Sequence, residues 1–171
     1  MKYETLHGCS LPKIGFGTWN IGGGSRADPR LDADSLSALG TALELGYTHF
    51  DTAESYAAGH CEELLGQAIR LAKVDRERLF ITSKVSPSHL AEEQIARSCD
   101  ATLQRFGCGY LDLYLIHWPA ARMNLERTFR ALNGLVRAGK VRHLGVSNFD
   151  LGLLEESRRF SEVPILTNQV P

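Results

Sequence analysis

Polar residues that close short apolar segments recur along this chain at a nearly fixed interval, and that interval is the strongest constraint on its fold. The segments are PKIGFGTW (12–19), THFDTA (48–53), LFITSKV (79–85), LDLYLIHW (111–118), VRHLGVSNF (141–149) and PILTNQV (164–170). Most are too short and too continuously apolar for half-exposed antiparallel strands, so they predict buried parallel strands. Toward their C-terminal ends stand Thr18, Asp51, Lys84, His117 and Asn148, separated by 33, 33, 33 and 31 residues.

Helical stripes fill the intervals. Leu36, Leu39 and Leu43 form one, stopped at Gly46; Leu64, Leu65, Ala68, Ile69 and Ala72 form the next. Ile95, Cys99, Leu103 and Phe106 lead to Gly107, and Leu125, Phe129, Leu132 and Val136 lead to Gly139. These glycines stand where a left-handed C-terminal cap is expected. Asp150 is a plausible N-cap for a fifth, shorter helix.

Strand alternating with helix reads as βαβ units and a parallel sheet. A period near 33 also suits ankyrin-type repeats, but those lack a buried strand in every unit and the TPLH signature is absent. A doubly wound sheet suits the alternation too, yet no GxGxxG opens the first helix. GFGTW leads instead into Gly22-Gly23-Gly24, which reads as a flexible turn. The predicted fold class is α/β, of the (β/α)8 TIM-barrel type, with functional groups at the C-terminal ends of its strands.

Bulk properties narrow the function. A net charge of −1 argues against a general binder of nucleic acid or acidic membrane, both of which need a basic surface. No apolar run reaches the ~18 residues of a membrane span. The opening MKYETLHG has no signal-peptide core. Cysteines at 9, 61, 99 and 108 include no CxxC pair, and His60-Cys61 has no partners at ligand spacing, so no metal is expected. Cytoplasm is the expected compartment.

The strand-end residues suggest a chemistry. An ammonium at Lys84 would be partly buried and needs a counter-charge, for which Asp51, in the same layer, is the natural partner. Tyr56 follows Asp51 in the same loop. A free tyrosine has a pKa of about 10, and a nearby lysine cation is expected to lower it, making the phenol useful as a general acid or base. His117 is placed to hydrogen-bond a carbonyl oxygen or relay a proton. Singly, each has a bland reading: a structural ion pair, a satisfied histidine, a packed tyrosine. Jointly, they suit protonation of an oxygen as a carbonyl accepts a hydride.

GYTHFDTAESY, ITSKV, LIHWP, GVSNF and TNQV, in this order and spacing, resemble the successive motifs of the aldo-keto reductases. YETLHGCSLPKIGFGTW is similar to that family's N-terminal hairpin and first strand, and GHCEELLGQAI to its second helix. The resemblance implies NADPH-dependent reduction of small aldehydes or ketones, with NADH as the second choice of cofactor. Tyr56 would be the general acid, Lys84 held by Asp51 would tune it, and His117 would orient the carbonyl. Ser147, Asn148 and Gln169 would bind the nicotinamide carboxamide, Asp51 would also touch the adjoining ribose, and Gly17, Thr18 and Trp19 would lie beside nicotinamide and substrate.

The expected domain is a single partial barrel over 1–171, with a hairpin cap in 1–13 and barrel strands one to six in 14–171. Eight strands close such a barrel, so the expectation is a C-terminally truncated member, less stable than a whole barrel and prone to self-association through open strand edges. The resemblance also leaves two alternatives: a regulatory or binding module of the same fold, and a fragment without activity of its own.

Overall fold

The structure, a computed structural model, describes residues 2–171. It begins with an antiparallel hairpin, β1 (Tyr3–Leu6) and β2 (Cys9–Pro12). His7 and Gly8 both have positive φ, 48° and 78°, the conformation whose twist matches a two-residue hairpin turn.

Six strands then form one parallel sheet in sequence order: β3 (Phe16–Gly17), β4 (His49–Asp51), β5 (Phe80–Val85), β6 (Leu111–Ile116), β7 (Val141–Ser147) and β8 (Ile165–Gln169). All six lie inside the segments predicted from sequence. The first two are shorter because regular pairing there gives way to single hydrogen bonds: Thr18 N–H to Asp51 O and Thr52 N–H to Thr82 O. Strands β3 and β8 are the two edges of the sheet.

Helices α1 (Asp32–Glu44), α2 (His60–Ala72), α3 (Glu92–Phe106), α4 (Leu125–Arg137) and α5 (Leu151–Phe160) connect successive strands. Their apolar stripes and the outward residues of the strands share the main core, which includes Leu39, Phe50, Leu65, Ile95, Cys99, Tyr114, Phe129 and Val146. The opposite face of the sheet holds a second cluster of Phe80, Leu113, Leu115 and Leu166, against which Cys9 and Leu11 of the hairpin pack. The hairpin therefore plugs the inside of the curved sheet at the end remote from Asp51 and Lys84.

Two close approaches fix this packing. A Cβ on Gly66 of α2 would stand 2.7 Å from Phe106 O, so α2 and the end of α3 meet backbone to backbone. A Cβ on Gly145 of β7 would overlap Leu115 and lie 3.0 Å from Thr167 O, beside an irregularity in the β7–β8 register. The glycine triplet corrects its sequence reading. Gly22 and Gly23 are buried, Gly22 N–H donates to Ser35 Oγ at 2.9 Å, and Gly24 O accepts from Ala57 N–H at 2.8 Å. The turn is thus a fixed strut under the loop that carries Tyr56.

Parallel pairing in register decides where the polar residues go. Gly17 pairs with Asp51, Asp51 with Thr82, Lys84 with Leu115, and Ser147 with Gln169. With every strand running the same way, one rim receives every C-terminal strand end, and the periodic residues gather there.

Candidate active site

Lys84 is the best-buried charged group of that rim, its side chain 2% exposed at the end of β5. Its ammonium has three acceptors: Asp51 Oδ1 at 2.5 Å, Thr52 O at 2.8 Å and Tyr56 Oη at 3.4 Å. Burial pulls its pKa below the ordinary lysine value, and Asp51 opposes that pull. Three acceptors match the three protons of an ammonium, so the cation is the form this geometry fits.

Tyr56 stands in the loop between β4 and α2. Its ring is met edge-on by Trp19 on one side, centroids 4.9 Å apart, and by His117 on the other, at 5.6 Å. The residues that follow, Ala57, Ala58 and Gly59, are all left-handed, with φ of 48°, 55° and 95°. A non-glycine residue in that conformation carries a steric penalty of ~1–2 kcal/mol, and such strain persists only where surroundings impose it. Ala57 N–H donating to Gly24 O is one such constraint.

Burial outweighs the fall in pKa expected for Tyr56 beside Lys84. Burial pushes the phenol up to about 12, with the negative charge of Asp51 adding to it. The physical reason is burial first: the half-buried phenol sits where an anion is poorly solvated, and the negative charge of Asp51 disfavours a second one beside it.

His117 follows β6. Burial, assisted by Lys84, lowers its pKa from 6.5 to about 4, so its ring is neutral near pH 7. The backbone N–H of His117 donates to Val85 O at 3.0 Å, and its backbone carbonyl accepts from Asn148 Nδ2 at 3.0 Å. Asn148 also donates to Ser147 Oγ at 2.9 Å, and Ser147 Oγ donates to Gln169 O at 2.8 Å. Gln169 Nε2 reaches across to Asp51 Oδ2 at 3.3 Å. The two polar sets named from sequence, at the ends of β4–β6 and of β7–β8, are therefore one connected cluster.

Trp19 and Trp118 are exposed beside it. Gly17 is exposed, and a Cβ there would meet nothing within 4 Å. Thr18 is buried, its hydroxyl donating to Asp51 O at 3.0 Å and accepting from Cys61 Sγ at 3.1 Å. It braces the strand end and presents no side chain to solvent. A separate cavity of about 1010 Å³ between the starts of α3 and α4, lined by Pro87, Leu90, Ala120 and Met123 among others, contains none of these groups.

Two neighbours were absent from the sequence reading. Glu54 Oε1 accepts from Ser86 N–H at 2.6 Å and contacts His89 Nδ1 at 2.9 Å, tying the Tyr56 loop to the loop after Lys84. Ser55 Oγ lies 3.4 Å from His117 Nδ1. Their position inside HFDTAESY, immediately before Tyr56, was the available signal. Among the described residues, no group of three or more His, Cys, Asp or Glu is placed to hold a metal ion.

Fold and rim together define an open, parallel α/β barrel segment with a Tyr–Lys–Asp–His cluster at its C-terminal face. The Aldo/keto reductase family model matches residues 13–171, and the chain belongs to that family. It is 39% identical over 147 residues to methylglyoxal reductase YeaE of Escherichia coli, covering 86% of this chain and 49% of that protein. The crystal structure of the thermostable aldo-keto reductase Tm1743, solved with the inhibitor epalrestat, superposes with a TM-score of 0.96 at 48% identity, covering 99% of this chain and 62% of that one. An aldo/keto reductase from Klebsiella pneumoniae in complex with NADP and acetate gives a TM-score of 0.78 at 37% identity, covering 92% and 53%. The chain spans about half the length of the curated relatives it matches.

Proposed function

We propose that this chain carries the acid–base centre of an NADPH-dependent reductase of small aldehydes and ketones. The carrying observation is the bridge made by Lys84 Nζ between Asp51 Oδ1 and Tyr56 Oη, with the His117 ring against the same phenol. The reductase name of the Escherichia coli relative and the NADP bound to the Klebsiella protein support the reading.

The residues present fit the nicotinamide end of such a cofactor. A carboxamide needs both donors and acceptors, which Ser147, Asn148 and Gln169 supply within one cluster, and the open side of Gly17 leaves space along the rim. When bound, the cofactor supplies the hydride that reduces the carbonyl carbon. Neutral His117 donates a hydrogen bond to the carbonyl oxygen and fixes its position. Tyr56, protonated across the neutral range, gives its proton to that oxygen as negative charge develops; an alkoxide is a stronger base than a phenolate even with the phenol near 12. Lys84 stands beside the phenolate that remains, and Asp51 keeps Lys84 in place.

The test measures NADPH binding by cofactor fluorescence, then turnover of a small aldehyde such as methylglyoxal, in the native chain and Tyr56→Phe. The expected result is saturable binding in both, with turnover reduced by roughly 10²–10⁴ in the variant. Full turnover in Tyr56→Phe would overturn the assignment of the acid. Failure of the folded native chain to bind NADPH would overturn the reading for this polypeptide.

A further inference from the structure

A neutral imidazole has two tautomers, and only one can donate from Nε2. The backbone of His117 is held from two sides, by Val85 O and by Asn148 Nδ2. The ring itself has a side-chain hydrogen-bonding neighbour at Nδ1, the hydroxyl of Ser55 at 3.4 Å. Ser55 precedes Tyr56, on a loop pinned by Glu54 to Ser86 and by Ala57 to Gly24. The hydroxyl is thus delivered to one nitrogen of the ring by a braced segment, although the residue is exposed.

We propose that Ser55 is a positioning residue that sets the tautomer of His117. Its hydroxyl donates to Nδ1, which leaves the imidazole proton on Nε2, the nitrogen free to meet a substrate carbonyl oxygen. The opposite arrangement, Nδ1–H donating to Ser55 Oγ, would leave a lone pair on Nε2 facing the electron-rich oxygen. The low pKa of His117 supports the assignment, because a doubly protonated ring would have no tautomer to choose. The inference rests on the carbonyl-reductase reading for its purpose, whereas the tautomer itself is a property of the free chain.

The experiment is long-range ¹H–¹⁵N correlation of the imidazole nitrogens in the full 171-residue chain near pH 7, with His117→Asn to assign the signals. The expected native spectrum has a pyrrole-type Nε2 and a hydrogen-bonded, pyridine-type Nδ1. In Ser55→Ala the two shifts move toward each other, and Ser55→Thr restores the native pattern. Reduction of a small aldehyde by Ser55→Ala should lose roughly fivefold in kcat, the weight of one neutral hydrogen bond, with KM changed by less than about twofold. A native ring protonated at Nδ1, or an unchanged spectrum in Ser55→Ala, would overturn the proposal. Undiminished turnover in Tyr56→Phe would overturn the catalytic reading instead and leave the tautomer result intact.

Discussion

Lys84 and Asp51 are stable in place only as a pair. Asp51→Asn would leave a 2%-exposed ammonium with its charge uncompensated, a change expected to destabilise the fold by about 3 kcal/mol or more. Pairing it with Lys84→Met removes the stranded charge, so the double variant should melt above Asp51→Asn alone in a thermal scan. His117 makes stability depend on pH. Its folded pKa of about 4 lies below the ordinary 6.5, so over that interval the unfolded chain binds a proton that the folded chain does not. Stability therefore rises with pH through this window and falls on acidification. His117→Phe should flatten the dependence of Tm on pH there; an equal slope in the variant would place the titration elsewhere. The period along the sequence made the Tyr56–Lys84–Asp51 grouping legible, because one strand end per unit is enough to find it. The direction of the Tyr56 pKa was not legible, since it depends first on how deeply the fold buries the phenol and then on the charge of Asp51. Ser55 was marked only by its place next to Tyr56: its partner lies 62 residues away, and nothing in its own segment points to His117.

At the scale of elements, the sequence stripes located four of the five helices and Asp150 the fifth, and glycine marked three of their ends. Gly46, Gly107 and Gly139 have positive φ of 84°, 68° and 71°, as the left-handed cap requires. The end of α2 carries no such sign, because Lys73 adopts the left-handed conformation itself, with φ of 52°. Asp150 does cap α5, accepting from Leu153 N–H at 2.8 Å, and Asp150→Ala should lower stability by about 1 kcal/mol in denaturant unfolding. Gly66 gave no sequence signal beyond its place in a helix, yet it sets how closely α2 approaches α3. Gly66→Ala should destabilise by about 1–3 kcal/mol, although alanine is the better helix former. A stabilised Gly66→Ala would show that the two helices can part without loss. The glycine triplet after Trp19 was misread because turn composition does not reveal whether a turn is buried; Ser35 and Ala57, which fix it, lie on other elements.

For the whole molecule, the two sheet edges dominate the expected behaviour. An unpaired strand edge is a template for another strand, and Ile14 beside β3 and Val170 beside β8 are each 60% exposed. The 171-residue chain should therefore associate in a concentration-dependent way, and Val170→Lys should weaken that association in sedimentation velocity. A single monomeric species at every concentration would show that the edges are blunted. The contact from Gln169 to Asp51 spans 118 residues of sequence and depends on every pairing from β4 to β8. A slip of one residue in any of them would turn side chains to the other face and carry the amide away from the carboxylate. That hydrogen bond is therefore a gauge: one short distance across the mouth sums the alignment of the intervening strands.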